Sequence, residues 1–260
     1  MSPSNVIWLG FVASLLAGLA TGLGALGVFF VRKLSEKLED GLLSVAAGIM
    51  LAATFFSLLL PGIEYAEAQF ASREIGVVVV ICGLLLGAVT LFLIHRLVPH
   101  EHFVTGLEGP EAAALSRIWL FVIAITLHNL PEGMAVGVGF AGGNWNNGFT
   151  LATGIGIQNV PEGLAVAISL LSVGYSRSGA FAIALLTGLV EPIGGLFGSA
   201  AVSLAAPLMP FTLGFAAGAM LFIISDEIIP ETHRRGYENL ATFSLLAGFA
   251  LMMYLDATLG

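Results

Sequence analysis

The sequence predicts an all-α polytopic membrane protein, with eight transmembrane helices in one bundle. Three observations predict it. Only 10% of the 260 residues are charged, 57% are hydrophobic, and the mean hydropathy is +0.97; a soluble domain carries roughly 25% charged residues. Eight apolar stretches are each long enough, at about 19 residues or more, for a hydrocarbon core of ~30 Å. The basic residues between them are strongly biased to one side.

Taken in order, residues 6–31 carry no charge and form the first span. No basic region or clear cleavage site precedes it, so a retained helix is expected rather than a signal peptide. Residues 41–63 and 75–94 are also uncharged. Span four, 118–140, contains only His128 and Glu132, and span five, 149–173, only Glu162. Span six, 179–207, contains only Glu191. Span seven, 211–229, holds Asp226 and Glu227 near its end, and span eight, 240–260, holds Asp256. Connections are short, so residues 1–260 form a single domain.

With the N-terminus outside, Arg32, Lys33, Lys37, Arg96, Arg117, Arg177, Arg234 and Arg235 all face the cytoplasm, and only Arg73 faces out. That split supports an even span count with both termini outside. A formal net charge of −8 does not suggest nucleic acid as a partner, and acidic residues in or beside the spans suit cationic cargo. The single cysteine, Cys82, excludes an intrachain disulfide or a thiolate-rich metal site, and is expected to be a small packing residue. Glycines at small-xxx-small spacing (Gly18/Gly22, Gly83/Gly87, Gly194/Gly198, Gly214/Gly218) predict close helix packing.

The chemistry lies in a repeated phrase. His128-Asn129-Leu130-Pro131-Glu132-Gly133 in span four returns as Gln158-Asn159-Val160-Pro161-Glu162-Gly163 in span five. The link 141–148 is short, so the two spans are antiparallel neighbours and their central motifs meet near the bilayer midplane. Symmetry-related half-sites at that depth are a transporter feature. A carboxylate there is costly and marks a functional site by default. His128 and Glu132 are i,i+4 and share a face, as do Gln158 and Glu162. Asn129 and Asn159 lie about 100° around the helix. Pro131 and Pro161 have no N–H to give the carbonyls of Leu127 and Ile157. Glu191, followed by Pro192, supplies a third carboxylate from span six.

One imidazole, three carboxylates and three amide oxygens, with no thiolate, suit Zn²⁺, Cd²⁺, Fe²⁺ or Mn²⁺ and are poor for Cu⁺. Three carboxylates exceed the need of one Zn²⁺. Either two ions share them, bridged by Glu132 and Glu162, or some are protonated when no ion is bound. A zinc-dependent intramembrane hydrolase would keep an open metal position and a general base, and H-E-x-x-H is absent. A divalent cation channel would show weaker, repeated sites rather than one dense cluster.

These phrases in adjacent central spans resemble those of the ZIP (Zrt/Irt-like) divalent metal transporters, especially the prokaryotic GufA-like branch. The resemblance covers essentially the whole chain. It includes Ser57-Leu58-Leu59-Leu60-Pro61-Gly62, Pro99-His100-Glu101-His102, Glu191-Pro192 and Pro230-Glu231-Thr232-His233. It implies import of divalent metal, zinc first, into the cytoplasm by alternating access, across a bacterial inner membrane with both termini periplasmic. It implies a binuclear-type site between spans four, five and six: His128, Glu132, Gln158 and Glu162 around one metal, and Asn129, Asn159, Glu132, Glu162 and Glu191 around the second. Some members carry Asp where this chain has Asn159, which leaves its second position less anionic. The resemblance gives Ser57, Glu64 and Asp256 an entrance role. On the inner side His100, His102, Asp226, Glu227, Glu231 and His233 are candidate exit residues; His95 has no assigned role. It further implies a homodimer, and movement of spans one, four, five and six against two, three, seven and eight.

Overall fold

This computed structural model describes residues 3–31, 33–70, 72–97, 100–102, 106–108, 117–140, 144–172, 174–204 and 206–259. Helix α1, Pro3–Ala25, tightens into a 3₁₀ turn at Leu26–Phe29. Helix α2, Glu36–Ala53, starts at Ser35, whose hydroxyl accepts from Leu38 N–H at 3.3 Å; Glu36 and Glu39 in its first turn suit the positive end of the helix dipole. It continues through a π-helical segment, Thr54–Leu59, into α3, Leu60–Gln69. Then come α4, Arg73–Leu97, and two short antiparallel strands, β1 (His100–His102) and β2 (Gly106–Glu108). Helices α5 (Arg117–Gly139) and α6 (Trp145–Ser172) follow. The chain ends with α7 (Arg177–Gly188), α8 (Glu191–Leu204), α9 (Met209–Ile223), a second π segment (Ile224–Ile228), α10 (Ile229–Thr232) and α11 (Glu238–Leu259).

Among the described residues, seven helical stretches are long and apolar enough to cross a membrane: Ser4–Phe29, Glu36–Gln69, Arg73–Ile94, Trp145–Ser172, Arg177–Ser203, Met209–Thr232 and Glu238–Leu259. Helix α5, at 23 residues or about 35 Å, is the eighth by length. The protein is a multi-pass all-α membrane bundle, with the β1–β2 pair a small addition between α4 and α5. Large apolar side chains such as Val78, Ile81, Leu85 and Val89 stand exposed along α4, as a lipid-facing surface requires. Cys82 is exposed on the same helix, so it is not the packing residue expected from sequence.

Both π segments precede a proline. Pro61 and Pro230 have no N–H, and a proline ring crowds the carbonyl four residues back, Ser57 and Asp226 respectively; widening the turn relieves that crowding. Span six, expected as one run, is broken at Leu189–Val190. The reason lies at Pro192: it has no N–H for the Gly188 carbonyl and its ring crowds that carbonyl, so α7 ends there, while in the first turn of a new helix the missing N–H costs nothing. The break leaves Glu191 at the N-terminal end of α8, where the helix dipole favours a carboxylate.

The helices sort into two groups. Helix α1 packs on α6, α7 and α8, and α5 packs on α8; separately, α4 packs on α9 and α2 on α11. Within each group, glycines bring backbones together. A Cβ on Gly133 would meet the carbonyl of Glu191, one on Gly163 that of Thr21, and one on Gly48 that of Leu245. Between the groups, α2 lies against α6 and α5 against α9. That seam is filled by side chains, among them Ile49, Met50, Leu151, Ile155, Met220 and Met252. Of the described interhelical glycines, Gly154 alone faces across the seam, and it meets side chains, the Met252 sulfur and Ile49.

At one end of the second group, Arg235 holds Glu39 and Asp40 of α2 at 3.3 Å each and Glu231 of α10 at 3.0 Å. Burial works against the Arg235 charge, but these carboxylates outweigh it and hold its pKa above the ordinary arginine value.

Candidate metal centre

The repeated phrases fall near the middle of α5 and α6, and both helices continue through their prolines. His128, Asn129, Glu132, Gln158, Asn159, Glu162 and Glu191 are all buried. The close approach of α5 to α8 at Gly133 brings Glu191 to the α5 motif, and Gly163 brings α6 onto α1. Gln158 Nε2 donates to Glu132 Oε1 at 2.6 Å. Asn159 Nδ2 donates to Glu191 Oε1 at 2.6 Å and to the Ala17 carbonyl at 2.8 Å. The three carboxylates interact electrostatically: Glu132 with Glu162 and Glu191, and Glu191 with Glu162.

The second half of each group looks for a partner. Glu132 Oε2, Gln158 Oε1, Asn159 Oδ1, Glu162 Oε1 and Glu191 Oε2 are buried oxygens with no donor among the described residues. Among the described residues, the Lys and Arg ion pairs go to Glu67, Glu39, Asp40 and Glu231, not to this cluster. Acceptors concentrated in this way, without N–H or O–H groups to cap them, fit a cation. Among the described residues no three His, Cys, Asp or Glu side chains stand as a finished ligand cage. The amides of Gln158 and Asn159 hold two of the carboxylates, and turning either amide exposes an oxygen in place of an N–H.

The remaining expected residues divide. Glu227, expected along an exit route, lies in the centre: its Oε2 is 2.6 Å from His128 Nε2, both side chains buried. The second π segment turns Glu227 inward, while its neighbour Asp226 is exposed. Ser57 and Asp256 do meet, Ser57 Oγ donating to Asp256 Oδ1 at 2.7 Å, and Glu64 is exposed nearby in sequence on α3. Glu231 is tied to Arg235. The His233 ring contacts the Ile229 carbonyl at 3.0 Å and Thr242 Oγ1 at 3.3 Å. His100 and His102 fall on β1, and their side chains, like that of His95, lie outside the described residues. Two features escaped the sequence analysis: the Arg235 cluster, and Asn147, a buried amide at the start of α6. Their one sequence signal was an Asp or Asn beside an apolar run, which is common at any helix end.

Fold and site together define a multi-pass membrane protein with a buried, acidic, amide-rich centre between α5, α6 and α8. A family profile described as ZIP Zinc transporter matches residues 100–256. The chain is 48% identical to "Zinc transporter GufA" of Myxococcus xanthus over 96% of this chain and 99% of that protein. It is 50% identical to "Zinc transporter ZIPB" of Bordetella bronchiseptica over 93% of this chain and 78% of that one. It is 35% identical to "Zinc transporter ZIP11" of Homo sapiens, over 92% and 94% respectively. The chain belongs to the ZIP family, a family of transporters rather than enzymes, and matches its GufA-like branch.

Proposed function

We propose that this chain carries divalent metal, zinc above all, into the cytoplasm through a two-metal centre near the bilayer midplane. The observation that carries the proposal is the set of buried, donorless oxygens on Glu132, Gln158, Asn159, Glu162 and Glu191. The names of its relatives point to the same cargo. One position is formed by His128, Glu132, Gln158 and Glu162. The other is formed by Asn129, Asn159, Glu132, Glu162 and Glu191. Cd²⁺, Fe²⁺ and Mn²⁺ fit the same donors. The metal is cargo, so its ligands must exchange; amides that can either cap a carboxylate or present an oxygen suit that task.

In this reading, access alternates by movement of one helix group against the other. The group of α1, α5, α6, α7 and α8 carries the ligands and slides against the other as a unit. Support comes from the glycine contacts that weld each group internally and the side-chain seam between them. Ser57, Glu64 and Asp256 form the outer mouth. Asp226, Glu231, His233 and the β1 histidines line the inner one, and Glu227 belongs to the centre beside His128. The protein works as a homodimer in a bacterial inner membrane. The test is uptake of zinc by the full chain reconstituted in lipid vesicles, with metal content counted on purified protein. No uptake above protein-free vesicles rejects the proposal.

The two positions differ in strength. Imidazole adds a nitrogen donor to the first, whereas the second relies on amides and shared carboxylates. His128→Ala therefore lowers uptake at least about tenfold, while Asn159→Ala weakens or empties the second position and lowers uptake only a few-fold. Metal binding weakens as pH falls, because the imidazole and carboxylate ligands must be free of protons to bind. Titration with counted stoichiometry checks both statements. Intact affinity in His128→Ala with lost binding in Asn159→Ala would reverse the ranking.

Orientation is tested with single cysteines in a Cys82→Ser background. Ser4→Cys and Gly260→Cys label from outside intact cells, and Ser35→Cys only after permeabilisation. Labelling of Ser35→Cys in intact cells overturns the sidedness and both mouth assignments.

A further inference from the structure

Where α5 ends and α6 begins, a side chain of α6 reaches the π segment between α2 and α3. Asn147 is buried, at 7% exposure, in the first turn of α6. Its backbone N–H donates to Asn144 Oδ1 at 3.2 Å, which caps the helix. Its side-chain Nδ2 then donates to two carbonyls, Ser57 at 3.0 Å and Gly139 at 3.2 Å. Gly139 is the last residue of α5, in the same helix group as α6. Ser57 lies in the π segment of the other group, four residues before Pro61, which has no N–H to offer that carbonyl. At the same end, the Tyr65 side chain of α3 hydrogen-bonds that of Asn144. A further polar link across the seam, His128 to Glu227, is at the centre.

The geometry points to Asn147 as the latch that holds the outer mouth shut, a positioning residue of the transport cycle. This rests on the transport proposal and its orientation. The latch grips the backbone of Ser57, whose hydroxyl in turn holds Asp256, a half-buried entrance residue. Sliding of the ligand-bearing group outward must break Asn147 away from Ser57, and that same movement separates α6 from the Ser57–Asp256 pair. The bond is suited to this: the one buried neutral hydrogen bond that crosses the seam can bias a two-state equilibrium up to about tenfold and is weak enough to reverse in each cycle.

The test is outside accessibility of a buried position behind the latch. Thr150 is fully buried one turn deeper on α6, and Cys82 is the only cysteine. In a Cys82→Ser, Thr150→Cys background, intact cells are treated with a membrane-impermeant thiol reagent. Asn147→Ala speeds labelling about tenfold. Pro61→Ala leaves Asn147 in place but gives the Ser57 carbonyl a helical N–H, so it weakens the grip and speeds labelling by a smaller factor. A helix-capping or packing role for Asn147 would lower thermal stability without moving the labelling rate, and would make no link to Pro61. Unchanged labelling in folded Asn147→Ala overturns the latch. If that variant does not accumulate, unchanged labelling in Pro61→Ala overturns it. The readout needs no zinc flux, so a parent that takes up no zinc yet shows faster labelling in both variants rejects the transport proposal and leaves the latch standing.

Discussion

Zinc uptake falls to the level of empty vesicles when Glu132 or Glu162 is replaced by alanine, a loss of about a hundredfold or more. These are the two carboxylates repeated at one level, each proposed to serve both metal positions, so one substitution weakens both. Removing even an outer partner of a metal ligand commonly costs 10–100-fold. Removing a shared ligand costs more. The protein itself survives, because both positions are already burdened by a buried carboxylate oxygen with no donor, and alanine removes that burden. Glu132→Gln separates charge from shape: it keeps the volume and a carbonyl oxygen for Gln158 Nε2 to reach, yet loses the anion, and uptake falls with it. The measurement is initial zinc flux at matched protein per vesicle, with size-exclusion profiles as the fold control. Near-normal flux in either alanine variant rejects the assignment.

Gly133→Val prevents assembly of the ligand-bearing group. A side chain at Gly133 runs into the Glu191 carbonyl, carbon and Cα, all backbone atoms that no rotamer change can move aside. The two helices must separate, which displaces Glu191 from Asn159 and opens the α5–α8 contact along several turns. Overpacking a tight contact costs ~1–3 kcal/mol when side chains can yield and more when they cannot. A fall in midpoint of thermal unfolding of at least about 10 °C, or loss of the folded peak, is expected. Gly156→Ala on α6 is the control. A Cβ there would meet Ala17 Cα at 3.9 Å and Ala20 Cβ at 4.0 Å, ordinary contact distances. That variant keeps or gains stability, since alanine favours helix over glycine by up to ~1 kcal/mol. Equal tolerance of both substitutions would show that α5 and α8 do not approach as closely as described.

Hydropathy, helical spacing and the positions of Lys and Arg are properties of short stretches, and they determined what short stretches can. The spans, the helical faces carrying His128/Glu132 and Gln158/Glu162, and the burial of all seven central residues were legible because burial is periodic along a helix. Family resemblance rested on the same local phrases. Four things required the tertiary structure. The span-six break at Leu189–Val190 depended on which of several proline effects prevails: Pro131 and Pro161 leave their helices continuous, Pro61 and Pro230 follow π segments, and Pro192 opens a new helix. Glu227 reached His128, rather than an exit vestibule, because the second π segment shifts which side of the helix it faces. Asp40 is fully buried only because Arg235 from a distant turn neutralises it. Asn147 found Ser57 ninety residues away. The first is a choice among local proline effects that the surroundings decide; the other three are contacts between segments far apart in the chain, and a local pattern carries no record of that distance.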